Sequence, residues 1–509
     1  MGSWQRVVLV LLAGALMPLA FAPFELYPLG LLALAILFFL WRRAGPGQAF
    51  RSGFLFGLAM FGAGTSWIYI SIHDYGYVPL ALSIALTLLF VMVLALFPAL
   101  CGYVAAHFRA VLERWSPRSE IGFVLLVLPS LWMLFEWCRG WFLTGFPWLL
   151  VGYSHVNTPL AGFAPLLGVY GVSLLAAVSS ALVMLALSAK AGEIRGGYLL
   201  VLVGLWGCGA MLSHIDWTRE KGEALRVSLV QGNISQDMKW LADMRAPTLD
   251  IYATLTRAHW DSDLIIWPET AIPMFSYQAR QFLDMMTAEA ALNDTDLLVG
   301  LVYQDMESGD YYNSMLGLGV DGGRYDKHHL VPFTEYLPFK SMLAGVIDVL
   351  DVPMSDFAAG DERQVPLRLA GHAIGISICY EDAFGEEVIN SLPQASLLVN
   401  VSNDAWFAGS LAPAQHLQIA QMRAVETGRE LMRATNTGIS AFISANGSLR
   451  RIAPQFSTQV LTLDVQPRSG ATPYVRMGNK AVLVLVFLII AGVVIQLRLG
   501  HKSAGLHPR

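Results

Sequence analysis

Long apolar segments constrain the fold of this chain more than any other feature of its sequence. A membrane-spanning helix needs about 20 mostly apolar residues to cross the hydrocarbon core of a bilayer. Eight such segments occur, near 7–22, 26–41, 52–72, 82–106, 121–138, 166–189, 197–213 and 481–497. Only 14% of the 509 residues are charged, whereas soluble domains carry about 25%. The sequence therefore predicts a multi-pass α-helical membrane bundle with eight spans.

One long stretch of a different composition interrupts the apolar segments. No comparable apolar run occurs between 215 and 479, and a stretch of roughly 250 residues is long enough to bury a core of its own. We therefore predict a bundle of seven helices over 1–214, a water-soluble domain over 215–479, and a C-terminal helix with a tail over 480–509.

The positions of Lys and Arg in the short loops predict the orientation, because basic loops stay on the cytoplasmic side. Alternate connections and the termini are basic, through Arg6, Arg42, Arg43, Arg51, Arg109, Arg114, Arg118, Lys190, Arg195, Arg498, Lys502 and Arg509. The intervening loops, "FAPFELYP", "HDYGYVP" and 139–157, contain only Arg139. Both termini are therefore predicted to be cytoplasmic and the soluble domain extracytoplasmic.

The first apolar segment also resembles a cleaved signal peptide. Arg6, the apolar stretch and "AFA" at 20–22 match the three parts of such a peptide. Cleavage would fall before Pro23, whose tertiary amide is a poor scissile bond, and one Arg is a thin basic region. These two features favour an uncleaved helix.

Charge and motif content exclude several classes of partner. The net charge is −5 and no basic run of the kind that follows phosphates is present, so we expect no nucleic-acid partner. His328 and His329 are adjacent but lack the spacing of metal-binding motifs. No G-x-S-x-G elbow or phosphate-binding loop occurs, and we expect no cofactor and no metal.

Cysteine usage singles out one thiol. Cys101, Cys138 and Cys208 lie within or at the ends of predicted spans, which leaves Cys379 as the one cysteine of the soluble domain. A lone cysteine in an oxidising compartment is either an inert buried residue or a reactive thiol. The count alone leaves both alternatives open.

The soluble domain reads as layered α/β or α+β packing. Strand-like runs rich in Val, Ile and Leu alternate with helical stretches, and "DGG" marks a hairpin turn. Predicted strands are "RVSLVQGNI", "DLIIWPE", "DLLVGLVYQ", "YNSMLGLGV", "RYDKHHLV", "HAIGISICYE", "ASLLVNVSN", "GISAFISA" and "QVLTLDV". Helices are predicted over 278–292 and 413–433, and 341–363 is expected to form a loop or lid.

Three predicted strands end at, or lead into, a residue suited to catalysis: Glu269, Lys327 and Cys379. A thiol is mostly protonated at neutral pH, so it needs a base such as a carboxylate to become a nucleophile. An ammonium group can stabilise the oxyanion that forms when a thiolate attacks an acyl carbon. Taken singly, Glu269 is better explained as a helix cap and Lys327 as a solvated hairpin charge. Together the three residues form an acyl-transfer set.

The motifs "WPETAIP", "DKHHLVPFTEYLPF" and "ICYEDAFGE", in this order, resemble the Glu, Lys and Cys motifs of the nitrilase superfamily. With eight apolar segments, "RGWFLTGFPW", "QGNISQDMKW" and "RATNTG", the chain resembles the membrane-bound branch, the apolipoprotein N-acyltransferases. The resemblance implies an αββα sandwich on the periplasmic face of the inner membrane. It implies Cys379 as nucleophile, Glu269 as general base and Lys327 as the cation facing the tetrahedral intermediate.

The resemblance also implies roles for residues around these three. It points to Glu335 as a second carboxylate, for which bracing the loop is an equal alternative, and to Trp240, Tyr380 and Glu381 as essential neighbours. Trp240 is alternatively a core residue. Where the family pattern has glycine before Glu335, this chain has Thr334, which alters backbone freedom but removes no reacting group.

Two further candidates lie near the outer end of the fifth apolar segment. Glu136 and Arg139 are three residues apart, and either pair with each other on one helix face or bind a lipid headgroup. The aromatic run that ends at Trp148 suits a membrane interface. We therefore count Arg139 and Trp148 among the candidate substrate-binding residues.

The resemblance implies two substrates. A phospholipid, phosphatidylethanolamine in our expectation, would donate the acyl chain, and the N-terminal diacylglyceryl-cysteine of an apolipoprotein would accept it at the bilayer surface. We expect a monomer. The alternatives are a membrane-tethered nitrilase-type amidase or thioester hydrolase and, in another class, a transporter, which the scarcity of ionisable residues in the spans disfavours.

Overall fold

A computed structural model describes residues 2–115, 120–189, 195–337 and 356–504. The chain forms two compact units: Met1–Tyr69 with Ala81–Ile215 and Met477–Arg509, and Ile70–Leu80 with Asp216–Arg476. The second unit thus includes Ile70–Leu80, which covers the predicted loop "HDYGYVP" and the end of the predicted span before it. Most of the predicted loop or lid over 341–363 lies outside the described residues.

The first unit is helical. Its longer helices are Ser3–Leu16, Tyr27–Trp41, Pro46–Gly64, Leu80–Trp115, Leu128–Arg139, Ala164–Ser188, Arg195–Leu212 and Lys480–Ala504. Among the described residues, five helical segments are long and apolar enough to cross a membrane: Ser3–Ala20, Leu80–Ala110, Glu120–Arg139, Pro159–Ser188 and Arg195–Leu212. Pro46–Gly64 and Ile68–Tyr75, which meet at 61°, make a sixth if they count as one span. Every predicted apolar segment is helical, but Tyr27–Trp41 and Lys480–Ile495 are shorter than a typical span.

Glycines allow helices of this unit to approach closely. A Cβ atom on Gly53 would lie 2.3 Å from the carbonyl oxygen of Pro98, and one on Gly14 would lie 2.4 Å from that of Phe56. These distances leave no room for a side chain, and close backbone approach at small residues is typical of helix packing in membranes.

In its described residues, the second unit is built on two large sheets and one short strand pair. The strands are β1 Arg219–Glu220, β2 Leu225–Gln231, β3 Leu264–Ile266, β4 Ile272–Phe275, β5 Asp296–Gln304, β6 Tyr311–Leu318, β7 Gly323–Asp326, β8 Leu367–Leu369, β9 His372–Ile378, β10 Leu397–Ser402, β11 Leu431–Thr435, β12 Ala441–Ile443, β13 Leu449–Ile452, β14 Gln459–Val465 and β15 Arg468–Ser469. One sheet has the order β14-β2-β3-β5-β6-β7, with β4 beside β5, and the other has the order β13-β12-β11-β10-β9-β8. The strands β1 and β15 pair with each other.

The two sheets pack face to face, and helices cover their outer faces. Alternate residues such as Leu229 on β2 and Val399 on β10 point into one shared core. The helices Arg245–Arg257 and Arg280–Leu292 cover the first sheet, and Ala412–Thr427 covers the second. This α-β-β-α layering confirms the nitrilase-like fold that the sequence motifs imply.

Strand direction collects the candidate catalytic residues at one edge of each sheet. In the first sheet β3 runs parallel to β5, and two antiparallel steps through β6 make β7 parallel to β5 as well. In the second sheet β9, β10 and β11 are parallel. Glu269 and Lys327 therefore follow the carboxyl ends of β3 and β7, and Cys379 follows the carboxyl end of β9.

The predicted helix over 413–433 is wrong at its end. The helix stops at Thr427, and Gly428 closes it with a φ of +62°. Glycine adopts this left-handed conformation without strain and commonly ends helices. The chain then enters β11, a fully buried strand whose apolar residues continue the helical pattern by coincidence. Strands β1, β4, β8, β13 and β15 and the helix Arg245–Arg257 were also not predicted.

Candidate active site

Cys379 occupies a strained turn. It follows β9 directly and opens the short helical segment Cys379–Ala383. Its φ is +53°, a left-handed conformation that costs a residue with a side chain about 1–2 kcal/mol. The residue is partly exposed. A sharp turn between a strand and a helix is a common way to present a nucleophile at the edge of a sheet.

Glu269 is a buried carboxylate oriented by two donors. Its Oε1 accepts a hydrogen bond of 2.7 Å from Asn313 Nδ2, and its Oε2 accepts one of 2.7 Å from the backbone N–H of Asn403. Asn313 lies on the first sheet, whereas Asn403 follows β10 of the second. Glu269 therefore joins the two sheets where their parallel strands end. One donor from each sheet fixes the direction of its carboxylate.

Lys327 is a buried cation placed between two carboxylates. Its side chain is 1% exposed, and its Nζ lies 2.8 Å from Glu335 Oε2 and 3.7 Å from Glu269 Oε1. Desolvation lowers the pKa of Lys327, but Glu335 and Glu269 outweigh it and raise the pKa above its usual value. The ammonium therefore stays charged at every pH at which the protein would work.

Nearby charged and polar groups act on the pKa of the Cys379 thiol. Desolvation and the carboxylates of Glu269 and Asp404 raise the pKa of Cys379 well above its usual value, while Lys327 and the hydroxyl of Ser402 lower it. The structure thus brings Glu269, Lys327 and Cys379 into one site. A thiol with a raised pKa needs a base to become a nucleophile, and Glu269 is one of the two carboxylates whose charge acts on it.

Glu335 braces its loop and pairs with the cation at the same time. Its Oε1 accepts hydrogen bonds from Asn313 Nδ2 at 3.0 Å and from Lys327 Nζ at 2.9 Å. Its Oε2 also accepts one from the backbone N–H of Val331 at 2.8 Å. The left-handed residue of this turn is Phe333, with a φ of +62°, so Thr334 stands at a position where glycine is not required.

Glu381 ties the nucleophile turn to the Lys327 strand. Its Oε2 accepts from the backbone N–H of Ile378 at 2.6 Å and from Tyr325 Oη at 2.9 Å. Its Oε1 accepts from the backbone N–H groups of His328 at 2.7 Å and His329 at 3.2 Å. Burial raises the pKa of Glu381 to about 7. These four contacts give a structural basis for its predicted importance.

The residues beside Glu381 form an aromatic cluster. The His329 ring stacks on Phe384, with centroids 3.7 Å apart, and Tyr380 meets both rings edge-on. His329 Nδ1 also lies 2.7 Å from Glu387 Oε1. The two adjacent histidines thus have separate local partners, since His328 Nδ1 contacts the Gly360 carbonyl at 2.8 Å.

Trp240 follows a buried lysine that touches the Glu269 turn. Lys239 Nζ donates to Thr270 Oγ1 at 2.8 Å and to the Glu269 carbonyl at 3.4 Å. Thr270 has a φ of +44°, so this turn is strained like that of Cys379. Desolvation lowers the pKa of Lys239 to about 8. Trp240 itself is partly exposed at the end of the helix Gln236–Lys239. It is therefore not a core residue, which was the alternative interpretation.

Arg139 and Trp148 belong to the first unit and are both buried. Arg139 Nη1 donates to the carbonyl oxygens of Phe146 at 2.6 Å and Trp148 at 2.5 Å. Glu136 Oε1 accepts from the backbone N–H of Val151 at 2.9 Å. Both charged residues therefore order the loop that follows their helix. Contact of Arg139 or Trp148 with a lipid stays a prediction.

Four polar residues that contact or adjoin the candidate reacting groups were not predicted from the sequence. Asn313, Ser402, Asn403 and Lys239 all contact or adjoin Glu269 or Cys379 in the structure. The available signals were polar residues near strand ends: Asn313 is the second residue of the predicted strand "YNSMLGLGV", and "VSND" interrupts an apolar run. Neither signal indicates a function without the fold.

Comparisons with known proteins cover nearly the whole chain. Residues 13–182 match a family model described as the apolipoprotein N-acyltransferase N-terminal domain, and residues 226–474 match one described as carbon-nitrogen hydrolase. The chain is 46% identical over 484 residues to an apolipoprotein N-acyltransferase of Methylococcus capsulatus, with 93% of each chain covered. It is also 46% identical to one of Nitrosomonas europaea, with 97% of this chain and 98% of that one covered.

A solved structure also aligns with part of the chain. The crystal structure of Saccharomyces cerevisiae Nit3, a member of branch 10 of the nitrilase superfamily, is 17% identical and has a TM-score of 0.38. The alignment covers 48% of this chain and 91% of that one.

Proposed function

The chain belongs to the apolipoprotein N-acyltransferase family, and we propose that it works through a thioester on Cys379. An acyl chain would pass from a membrane phospholipid to this thiol and then to the N-terminal amine of a diacylated lipoprotein. The observation that carries this proposal is the grouping of Glu269, Lys327 and Cys379, each of which follows the carboxyl end of a strand in one of the two sheets.

In the first half-reaction, Glu269 accepts the thiol proton and the Cys379 thiolate attacks the ester carbonyl of the phospholipid. The carbonyl oxygen becomes an oxyanion that faces the Lys327 ammonium, joined in our proposal by the backbone N–H of Tyr380. The C–O bond then breaks, Glu269 returns its proton to the departing oxygen, and a lysophospholipid leaves. The thioester remains on Cys379.

In the second half-reaction, the α-amine of the lipoprotein attacks the thioester carbonyl. Glu269 accepts a proton from the amine, the C–S bond breaks as the amide forms, and the proton returns to the Cys379 sulfur. One residue thus serves as base and acid in both halves, which is ping-pong covalent catalysis. The two donors that hold Glu269, Asn313 and Asn403, keep it in one direction throughout.

The membrane unit suits this chemistry because both substrates carry acyl chains. We propose that all eight apolar helices span the inner membrane, with both termini cytoplasmic and the domain over 215–479 periplasmic. Five or six described helical segments meet the length and hydropathy expected of spans, and the alternation of basic loops supports the orientation. A site at the bilayer surface lets the acyl tails stay in hydrocarbon, and exclusion of water favours attack by the amine over hydrolysis.

For the donor we propose phosphatidylethanolamine, and for the active unit a single chain. A monomer is sufficient because all three reacting groups come from one chain. The headgroup is tested by comparing phosphatidylethanolamine with phosphatidylglycerol of the same acyl composition, with faster acylation of the enzyme by the first as the expected result.

The acceptor distinguishes this function from that of a tethered hydrolase. Purified protein would be incubated with phospholipid and a diacylglyceryl-cysteine peptide, and the products analysed by mass spectrometry. The proposal predicts a peptide heavier by one acyl group, and initial rates that give parallel lines in double-reciprocal plots at several donor concentrations. Release of free fatty acid with an unmodified peptide would instead indicate a thioester hydrolase.

A further inference from the structure

Beneath the Cys379 turn lies a buried cluster of four charged residues. His416 Nε2 lies 2.9 Å from Asp382 Oδ1, and His416 Nδ1 lies 3.1 Å from Asp404 Oδ1. Arg433 bridges the same two carboxylates at 3.3 Å and 3.0 Å. Each of the four side chains is at most 2% exposed. We call this set the His416 cluster.

The His416 cluster is electrically neutral only when the imidazole is protonated. Two carboxylates and one guanidinium leave a charge of −1, and an imidazolium brings the sum to zero. Unbalanced buried charge is strongly destabilising. Desolvation and Arg433 lower the pKa of His416. Asp382 and Asp404 outweigh them, and the pKa rises to about 9. The charge balance and the raised pKa both indicate that His416 is an imidazolium cation at physiological pH.

This cluster touches the nucleophile turn through its backbone. His416 Nε2 lies 3.1 Å from the Cys379 carbonyl oxygen, to which Asn400 Nδ2 also donates at 3.3 Å. Arg433 in turn donates to the side chain of Asn400. The carbonyl of a residue held at a φ of +53° is therefore fixed by two buried donors. Such support is what a strained functional turn requires.

The cluster also acts on the sulfur. Asp404 is one of the carboxylates that disfavour the thiolate, and Ser402, whose hydroxyl donates to Asp404 Oδ1 at 2.7 Å, favours it. An imidazolium beside Asp404 offsets part of its charge. The same residue therefore holds the Cys379 backbone and makes the thiolate less costly to form.

We propose that His416, as an imidazolium, is a positioning residue for acyl transfer, which holds the Cys379 carbonyl and balances the charges of Asp382 and Asp404 so that the thiolate can form. The proposal deepens the proposed function and rests on it for the role of the thiolate. The imidazole itself exchanges no proton with either substrate.

The test separates the charge of His416 from its hydrogen bond. H416Q keeps a donor near the Cys379 carbonyl but removes the positive charge. The measurement is the rate of Cys379 alkylation by iodoacetamide between pH 6 and 9.5, read by peptide mass spectrometry on full-length protein in detergent. We expect the rate at pH 7 to fall about tenfold, which corresponds to a thiol pKa about one unit higher.

A second substitution should restore the balance. Adding D382N to H416Q leaves one carboxylate and one guanidinium, so the cluster is neutral again. We expect D382N/H416Q to regain most of the lost alkylation rate, whereas a residue that only fills space would make the double variant worse than the single one. A double variant no faster than H416Q would overturn the proposal.

Controls keep the outcome interpretable. H372Q changes a partly buried histidine at the start of the same strand, β9, and should leave the alkylation rate unchanged. If H416Q does not fold, H416K replaces it, because lysine retains a charge and three donors. H416K is expected to react within a few-fold of the parent, and a tenfold fall in that variant would contradict the proposal, as would a folded H416Q alkylated at the parent rate.

Alkylation needs no phospholipid, so it reports on His416 whether or not the acyl-transfer function holds. Failure of the proposed function would show as absence of an acyl adduct on the unaltered protein. Failure of this inference would show as an unaltered adduct rate and an unaltered alkylation rate in H416Q.

Discussion

The Lys327 ammonium pairs with Glu335 at 2.8 Å, about 1 Å closer than its approach to Glu269 at 3.7 Å. The cation is thereby held by a carboxylate other than the proposed base. Had Lys327 paired tightly with Glu269, the charge of the ammonium would stabilise the carboxylate and weaken it as a proton acceptor. Glu335 therefore keeps the cation and the base separate.

We expect E335Q to lower kcat about 10- to 100-fold, because Lys327 then shifts toward Glu269 and weakens the base. The rate of acyl-enzyme formation, measured in a single turnover with excess phospholipid, checks this. E307Q, at an exposed glutamate, serves as the matched control and should behave like the parent. An E335Q enzyme with unaltered kcat would contradict this account and would leave Glu335 with the role of stabilising its loop.

Asn313 donates to both Glu269 and Glu335 through one amide group. N313D replaces this donor with a third carboxylate, so Glu269 and Glu335 each lose one hydrogen-bond donor and face an added negative charge. We expect activity to fall at least about 100-fold, and N313A to fall less, since it removes the donor without adding charge. The ratio of the two activities is the measurement, and equal losses would contradict this electrostatic account.

Glu381 is predicted to matter for stability more than its neighbours. E381A leaves the backbone N–H groups of Ile378 and His328 and the Tyr325 hydroxyl without their acceptor, and each unsatisfied buried donor costs about 1–3 kcal/mol. We expect a clear drop in Tm by calorimetry or light scattering in detergent. E362A, at an exposed glutamate of the same unit, should leave Tm within experimental error; equal drops in the two variants would count against the four-donor geometry.

The raised pKa of His416, about 9, predicts how stability depends on pH. The usual value is about 6.5, so the folded state binds the proton more tightly than the unfolded state. The stabilisation is fully present below pH 6.5 and is lost as the pH rises through 9. One group with this shift contributes about 3 kcal/mol.

The check is the thermal stability of the parent and of H416Q from pH 6 to 10. The parent should lose stability relative to H416Q across the window from 6.5 to 9, because the variant lacks the titrating group. Two curves that run parallel through this window would show that His416 titrates normally. Glu381 and Lys239 also have shifted pKa values. Their contributions to the pH dependence of stability are the same in both proteins and cancel in the comparison.

The motifs predicted the fold and the three central residues because each sits at a strand end. Apolar runs such as "LIIWP" and "IGISI" are local signals, and the residues that follow them, Glu269 and Cys379, lie where parallel strands end. The layered architecture followed from the same alternation of strands and helices. These features depend on patterns that a single sequence shows directly.

The rest of the site depends on contacts between distant segments. Asn403 reaches Glu269 across 134 residues, and Arg433 reaches Asp382 across 51. His416 lies on a helix whose sequence reads as an ordinary amphipathic segment, and its charge follows only from the two aspartates that the fold places beside it. The end of that helix was missed because the left-handed cap at Gly428 is a conformational signal that apolar periodicity does not carry.

The most direct test of the account is the mass of the enzyme after exposure to phospholipid alone. With phosphatidylethanolamine and no acceptor peptide, the account predicts one acyl group on the peptide that contains Cys379, released by neutral hydroxylamine and chased onto a diacylated peptide when that peptide is added. C379S should carry no hydroxylamine-sensitive acyl group. An acyl group that maps to another residue, or one that forms on Cys379 but is not transferred to the peptide, would contradict it.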